Sequence, residues 1–516
     1  MSYPLTTGFL ATDQYQLTMA QLYLRQGIAD QRAQFDHTFR SYPDYGTHRA
    51  GYCVAAGLDG LVAWLQTARL DTSGREALAS HTTPNGNRLF DDSFLEWLGA
   101  IDPTGVTLEA VPEGRVVHAN VPMTTVTGPL AVAQLLETPL LNHLNYPTLI
   151  ATKASRVAEA ARGRPILEFG LRRGPENGAA AGARAAIIGG AAGTSHVGAA
   201  AASGLQASGT HGHSLVQAFL AAGGSELDAF RAYADSYPDS CLLVVDTIDT
   251  LDSGVPNAIR TFEELRAGGY RPLGIRLDSG DLAYLAIQAA RLLNQAGFDD
   301  VGIVLSSGLD EITIWQIVSQ IAGEAPRYGV DADRLIARLS FGVGGRLTSS
   351  DGSPALDGVY KLVALHTGGE WAPAIKVSNT PLKVPHPGRK EVWRFYDVRG
   401  RATADVVAIA GEDVTIDPLV IHHPFRPGMS RALAAADVSK RENMLEVVIA
   451  DGAVVHSVEP LAALRDRRDR DVDLLDPGVR RLVNPHRYHV SLSAGMWELK
   501  RLMVARARSK AHQADT

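Results

Sequence analysis

Hydrophobic and polar positions follow two rhythms along this chain. Up to about residue 135, amphipathic helical patterns alternate with turn signals. Asp13 to Gln26 predicts a helix, with Leu17, Ala20, Leu22 and Leu24 among its apolar positions. Leu58 to Arg69 predicts another, with Leu58, Leu61, Val62 and Leu65 at helical spacing. Ala33 to Arg40 predicts a strand whose alternation is blurred by His37 and Thr38. The β-branched residues and turn breaks from Thr107 to Thr127 predict a small sheet.

From about Leu140 short apolar runs recur instead: Ile166–Phe169, Leu242–Val245, Leu273–Ile275, Gly302–Leu305 and Ser340–Val343. Each is followed by a cluster of Gly, Ser, Asp or Arg. Helical stretches intervene, such as Asn257–Arg266 closing on Gly268 and Gly269, and Leu282–Gln295 closing on Gly297. The runs that start at 242, 273 and 302 are about 30 residues apart, the length of a βα unit. Apolar strands of this kind suit a parallel sheet covered by helices. The pattern predicts an α/β barrel over residues 140–370, with its chemistry on the loops after the strands. Residues 1–139 then form an N-terminal α/β domain, and 371–516 a C-terminal segment that partly completes it. In that segment Leu445–Ala450 and Val454–Val458 predict a strand pair. Trp497 to about Arg508 predicts a final helix with a frayed tail.

Composition narrows the classes. Hydrophobic residues make up 45% of the 516, an ordinary globular share that excludes wholesale disorder. The formal net charge of −7 argues against a nucleic-acid partner but leaves room for a local basic pocket. Arg465–Asp471, with four Arg against three Asp, predicts a solvated loop or helix face. Cys53 and Cys241 lie in apolar runs and predict buried, reduced thiols. The N-terminal stretch MSYPLTTGFLATDQYQ lacks the basic and apolar regions of a signal peptide. The Ala/Gly-rich stretch Gly178–Gly204 comes nearest to a membrane span, but Arg184 and His196 interrupt it. A soluble cytoplasmic protein with no membrane partner is expected. The 50 glycines are an excess that asks for an explanation.

The strand-end clusters carry the candidate chemistry. LEFGLRRGPENGA places Arg172 and Arg173 just beyond a strand, where two planar forks suit carboxylate or phosphate; a surface arginine pair is the plain alternative. GGAAGTSHVGAA allows close approach to a phosphate, but tight helix packing explains it more simply. In SGTHGHSLVQAF, Thr210, His211, His213 and Ser214 crowd the entrance of a helix, where Thr and Ser can serve as caps. His211 and His213 have metal-like spacing without the third ligand of a zinc site. A histidine there can accept a phosphoryl group or contact an anion. Two acidic clusters follow, VVDTIDTLDSG and GIRLDSGDLA. The second presents Arg276, Asp278, Ser279 and Asp281 together: an arginine for an anionic group, carboxylates for Mg²⁺ or ribose hydroxyls. An Asp-capped helix explains only Asp281. VLSSGLDE and FGVGGRLTSS end two later strands with glycines suited to cradling phosphate. Together these clusters indicate a phosphorylated, carboxylate-bearing substrate.

In order, TDQYQLTMA, LEFGLRR, AGTSHVGAA, GTHGHS, VDTIDT, GIRLDSGDL, SSGLDE, FGVGGRL and GVYKLV resemble the nicotinate phosphoribosyltransferase family, over nearly the whole chain from Asp13 to Ser493. The resemblance implies a type II phosphoribosyltransferase fold: an irregular α/β barrel with a second α/β domain built from N-terminal and C-terminal segments, usually in a head-to-tail homodimer with shared sites. It implies an ATP-assisted reaction. Nicotinate and 5-phosphoribosyl 1-diphosphate give nicotinate mononucleotide and diphosphate, while ATP becomes ADP and phosphate, at the entry to NAD synthesis from nicotinic acid. Tyr15 then stacks on the pyridine ring across the subunit interface. Thr210 and Arg276 contact nicotinate, with Arg172 near its carboxylate and the diphosphate. Asp278 handles ribose hydroxyls and Mg²⁺. Ser214, Ser279, Gly308, Gly344 and Gly345 join Asp278 in binding phosphoribosyl diphosphate. His213 matches the histidine that ATP phosphorylates, and with Arg276 and Asp278 forms the catalytic set.

The chain departs from the family pattern in places. His211-Gly212 stands where Met-Ala is frequent, His196 where Asn is common, and Gly345 where Thr is common. The last exchange leaves phosphate binding there to the backbone. The loop after Arg173 also differs in length. Leu277 and Asp281 argue against a nicotinamide phosphoribosyltransferase, which typically has RPDSGNP at this motif. The quinolinate enzyme is much shorter. A non-catalytic sensor of phosphoribosyl diphosphate or NAD precursors has no use for a phosphoryl acceptor.

Overall fold

The computed structural model of the protein describes residues 8–514, so the first seven residues of the N-terminal stretch, and Asp515 and Thr516 of the tail, lie outside it. The chain divides into two compact units: Ile150–Pro354, and Met1–Leu149 together with Ala355–Thr516.

The Ile150–Pro354 unit is built on a parallel sheet of six strands. In spatial order these are Gly193–Thr194, Ile166–Glu168, Leu339–Val343, Gly302–Ser306, Gly274–Leu277 and Leu242–Val244. The strands are apolar because helices cover the sheet. Ile275, Leu277, Ile303 and Leu305 are completely buried, as are Ala286, Ile287, Ala290 and Leu293 on the helix Leu282–Gln295. Helix starts follow local capping chemistry: Asp281 accepts from Tyr284 N–H, and Asp310 accepts from Thr313 N–H at the head of Glu311–Glu324. The Ala/Gly-rich stretch becomes the helix Glu176–Ile188, the strand Gly193–Thr194 and the helix Val197–Ala202. One of its glycines, Gly189, is used for packing. A Cβ on Gly189 would collide with the carbonyl oxygen of Ala151. His196 caps Val197–Ala202 by accepting from Ala199 N–H, at 3.3 Å.

The other unit contains two larger sheets. In one, Arg32–Phe39 is central, antiparallel to Thr124–Pro129 on one side and to Gly358–Thr367 on the other. Glu446–Ala450 joins its far side beside Thr107–Ala110. Gly358–Thr367 therefore belongs with the N-terminal strands, although the sequence pattern counts it at the end of the barrel segment. In the second sheet Ala402–Ile409 lies between Lys390–Asp397 and His489–Ser493. Cys53 and Cys241 are buried thiols, one in each unit.

Three local expectations need correction. The predicted strand Val454–Val458 shrinks to Ala453–Val454, and Val455 and Val458 are exposed. The final helix runs Ala494–Ala514, past the expected fraying point at Arg508. The Arg465–Asp471 run lies on the helix Leu461–Asp473 and is not wholly solvated. Asp471 is buried and accepts from the Arg115 and Arg394 side chains, at 2.9 and 3.2 Å. A charged residue can be buried there because its partners are buried with it. Among the described residues, no helix is long and apolar enough to cross a membrane.

Candidate active site

The loops that leave the parallel strands at their C-terminal ends enclose a cleft of about 630 Å³. Phe169 follows the strand Ile166–Glu168, and Arg172 and Arg173 stand on the short turn Leu171–Arg173. His211 and His213 approach from the segment after Val197–Ala202. Arg276 and Asp278 come from Gly274–Leu277 and its exit, and Ser306, Ser307 and Gly308 from Gly302–Ser306. Gly342, Gly344, Gly345 and Arg346 come from Leu339–Val343.

Arg276 organises the centre. Its Nη2 donates to Asp278 Oδ1 at 2.8 Å and its Nε to Ser306 Oγ at 2.8 Å, while Ser306 Oγ–H donates to Asp278 Oδ1 at 2.6 Å. Parallel register sets this triangle up, since Arg276 pairs with Val304 and Ser306 lies two residues further along that strand. Nη1 of Arg276 has no hydrogen-bond partner among the described residues. The guanidinium carbon stands 5.7 Å from the centre of the Phe169 ring. Burial pushes the Asp278 carboxyl up, but the bonds from Ser306 and Arg276 outweigh it and hold the group below the usual carboxylate range.

A second carboxylate supports the first. Asp246 Oδ2 accepts from Asp278 N–H at 2.9 Å and from Ser279 Oγ–H at 2.6 Å, which fixes the turn that carries Asp278. Its other oxygen, Oδ1, is buried without a hydrogen-bond partner among the described residues.

His213 opens the helix His213–Ala221. Its Nδ1 lies 3.1 Å from Thr247 Oγ1, and its Nε2 lies 3.5 Å from Asp278 Oδ2. Carboxylates face both ring nitrogens, Asp278 Oδ2 at Nε2 and Asp246 Oδ1 at 3.9 Å from Nδ1, and the Thr247 hydroxyl can rotate to donate to Nδ1 or to accept from it.

The far wall is glycine-rich. Ser307 and Gly308 both have positive φ, +86° and +62°, an uncommon backbone for a residue with a Cβ. Gly342 leaves space for Phe169, because a Cβ there would lie 2.5 Å from the ring. Gly342→Ala should displace that ring from beneath Arg276, cost about 1–3 kcal/mol of stability, and weaken binding of an aromatic ligand. Thermal denaturation and ligand titration of this variant check both effects.

Of the site residues that the family resemblance implies, seven line this one cleft: Arg172, His213, Arg276, Asp278, Gly308, Gly344 and Gly345. Four do not. Tyr15 belongs to the other unit, 48% exposed on the helix Gln14–Arg25. Ser279 spends its hydroxyl on Asp246, and Ser214 points to solvent on its helix. Thr210 is outside the lining, although its Oγ1 is buried with no partner among the described residues. Sequence reasoning missed Phe169, Asp246, Ser306 and Arg346. Asp246 and Ser306 stood inside motifs already noticed, but nothing in those motifs separated them from neighbouring Asp and Ser residues. Phe169 looked like one more apolar strand residue.

The comparisons with known proteins agree over the whole chain. A model of the nicotinate phosphoribosyltransferase (NAPRTase) family matches residues 165–383; models of the N-terminal and C-terminal domains of nicotinate phosphoribosyltransferase match 10–145 and 389–500. The chain is 36% identical over 504 residues to a nicotinate phosphoribosyltransferase of Bacillus subtilis (strain 168), covering 97% of this chain and 96% of that one. It is 38% identical over 415 residues to nicotinate phosphoribosyltransferase pncB2 of Mycobacterium tuberculosis, covering 80% and 81%. The crystal structure of human nicotinic acid phosphoribosyltransferase matches with a TM-score of 0.78 and 30% identity, covering 95% of this chain and 99% of the human one.

Proposed function

The chain belongs to the nicotinate phosphoribosyltransferase family, and from that membership we propose that it transfers the phosphoribosyl group of 5-phosphoribosyl 1-diphosphate to nicotinate in NAD synthesis. The observation that carries the reading is the Arg276–Asp278–Ser306 triangle beside the Phe169 ring, with a glycine-rich wall completing the cleft. In the reaction the pyridine nitrogen attacks ribose C1. The N–C1 bond forms, the bond from C1 to the diphosphate oxygen breaks, and diphosphate leaves with the electron pair. No general base is needed, because the ring nitrogen is already a nucleophile. Catalysis rests on positioning and charge. The free Nη1 of Arg276 suits the nicotinate carboxylate, with Arg172 in the same cleft as a further donor. Asp278 suits ribose hydroxyls and the cationic sugar. Gly308, Gly344 and Gly345 admit phosphate to their backbone, and Arg173 and Arg346 bring charge to the same wall.

Among the described residues no three His, Cys, Asp or Glu side chains form a metal-holding cluster. Asp278, a carboxylate in the cleft, suits Mg²⁺ delivered with the diphosphate, which needs only one or two carboxylate oxygens from a protein. Asp278 Oδ2 is the candidate, since Oδ1 is already shared by Arg276 and Ser306. When bound, Mg²⁺ neutralises diphosphate charge.

ATP coupling runs through His213 in this reading. A ring nitrogen attacks the γ-phosphorus, the N–P bond forms, the β–γ bridge breaks, and ADP departs with the electron pair; water later releases phosphate. The placement of His213 between Thr247 and Asp278 supports this role. The family resemblance supports a homodimer in which Tyr15 of the partner subunit covers the pyridine ring. Two buried thiols and the lack of a membrane-crossing helix among the described residues suit a cytoplasmic enzyme.

Purified protein assayed with nicotinate, nicotinamide and quinolinate, each with and without ATP, tests the reading. ATP-stimulated diphosphate release with nicotinate alone is expected, stopped by EDTA and restored by Mg²⁺. Turnover of nicotinamide but not nicotinate would overturn it.

A further inference from the structure

The parallel sheet does not close on itself. Its terminal strands are Gly193–Thr194 and Leu242–Val244, and no backbone pairing joins them among the described residues. Residues 208–212 span that gap. On one side Ser208 N–H donates to Thr194 O at 2.8 Å. On the other side the contact is a side chain. Val245 N–H donates inward to Arg276 O at 3.1 Å, so the preceding amide, Val244 N–H, points away from the sheet. It donates to His211 Nε2 at 3.1 Å.

That bond identifies the tautomer. A backbone amide only donates, so Nε2 must hold a lone pair and Nδ1 the proton, with Gly212 O 3.4 Å away. The ring packs against Tyr233, centroids 4.9 Å apart, and more loosely against Phe230 at 6.2 Å. Burial, with Arg276 and His213 nearby, lowers the pKa of His211 and keeps the ring neutral. Its only lone pair is therefore held by a backbone amide, which cannot turn away as the Thr247 hydroxyl beside His213 can, and this makes His211 a poorer phosphoryl acceptor than His213.

We propose that His211 is a positioning residue that closes the seam of the open barrel and thereby fixes His213 in the cleft. The proposal rests on the reading of His213 as the phosphoryl acceptor. The same two segments are joined twice, once by His211 with Val244 and once by His213 with Thr247. The linking loop has little else to hold it. Gly209 and Gly212 lack side chains, and a Cβ at either would meet nothing within 4 Å. Without the His211 bond the loop regains its conformational freedom, and His213 loses its fixed approach to Thr247 and Asp278.

The test uses full-length enzyme and γ-labelled ATP, reading acid-labile phosphoenzyme, the ATP-stimulated rate and the KM for nicotinate. His211→Phe keeps an aromatic ring on Tyr233 without an acceptor. His211→Gln supplies an acceptor oxygen without the ring. His211→Leu replaces the Phe variant if that does not fold. Phosphoenzyme formation should slow about tenfold in the Phe or Leu variant, with little change in the KM for nicotinate, and recover to within about threefold in the Gln variant. The Val244 amide should exchange faster in the apolar variants than in wild type or His211→Gln. Wild-type labelling in His211→Phe, or equal losses in Phe and Gln, overturns the positioning role. Labelling that survives in His213→Ala overturns the reading of His213 instead.

Discussion

Replacing Arg276 with Met is expected to lower kcat/KM for nicotinate by about 10²-fold and to abolish most of the discrimination against nicotinamide. The guanidinium holds Asp278 and Ser306 through Nη2 and Nε, and it keeps Nη1 for the substrate. Methionine matches much of its stem but removes every donor. A hydrogen bond between charged groups contributes roughly 1.5–3 kcal/mol, and stranding the partner of a partly buried pair adds to the loss. About 3 kcal/mol corresponds to the stated factor. The loss should be much smaller for nicotinamide, which has no carboxylate to lose a partner. The pH profile supplies a separate check. The Asp278 carboxyl lies below its usual range because the Ser306 and Arg276 bonds outweigh burial. A depressed carboxylate contributes its charge fully above the unfolded value and loses it as pH falls through the folded one. Removing Arg276 should raise the folded value and move the acid limb of activity upward. Steady-state kinetics with both pyridines across pH measure all three effects. Unchanged nicotinate kinetics would remove Arg276 from the site.

The second large effect is expected from His213→Ala: no phosphoenzyme from ATP, and product formation with nicotinate that no longer responds to ATP. Alanine deletes both ring nitrogens, one near Thr247 Oγ1 and one facing Asp278 Oδ2. His211 is a poorer acceptor, since its lone pair is held by Val244 N–H. The stimulation lost should equal that seen in wild type, because a covalent acceptor is either present or absent. Labelling with γ-labelled ATP beside rate measurements with and without ATP checks this. Persistent stimulation in the variant would assign the coupling to another group.

The secondary structure of the Ile150–Pro354 unit was largely legible. Leu282–Gln295 forms the helix its periodicity predicts, since Asp281 and Gly297 mark its ends locally. Apolar runs became parallel strands because both faces are buried, which needs no alternation. The same physics explains the blurred strand around His37. Arg32–Phe39 sits between two strands with both faces covered, and His37, fully buried, meets Asn145 Oδ1 at 3.1 Å. Charge patterning was less informative. Arg465–Asp471 reads as solvated, yet Asp471 is buried by Arg115 and Arg394, which come from distant parts of the chain.

By itself, then, the sequence determined where the chemistry gathers. Caps, turns and strand ends are set by residues a few positions apart, so the clusters around Arg172, His213, Asp278, Gly308 and Gly344 were visible in one dimension. Tertiary structure alone decided what each member does. His211 and His213 are two residues apart and chemically identical, but one ring meets a backbone amide and the other meets Thr247 and faces a carboxylate. Asp246 and Asp278 look equivalent in their motifs, yet the first supports the turn that presents the second. The deciding partners lie about thirty residues away along the chain, on neighbouring strands. Proton position, charge state and free donors depend on those neighbours in space, and no local pattern encodes them.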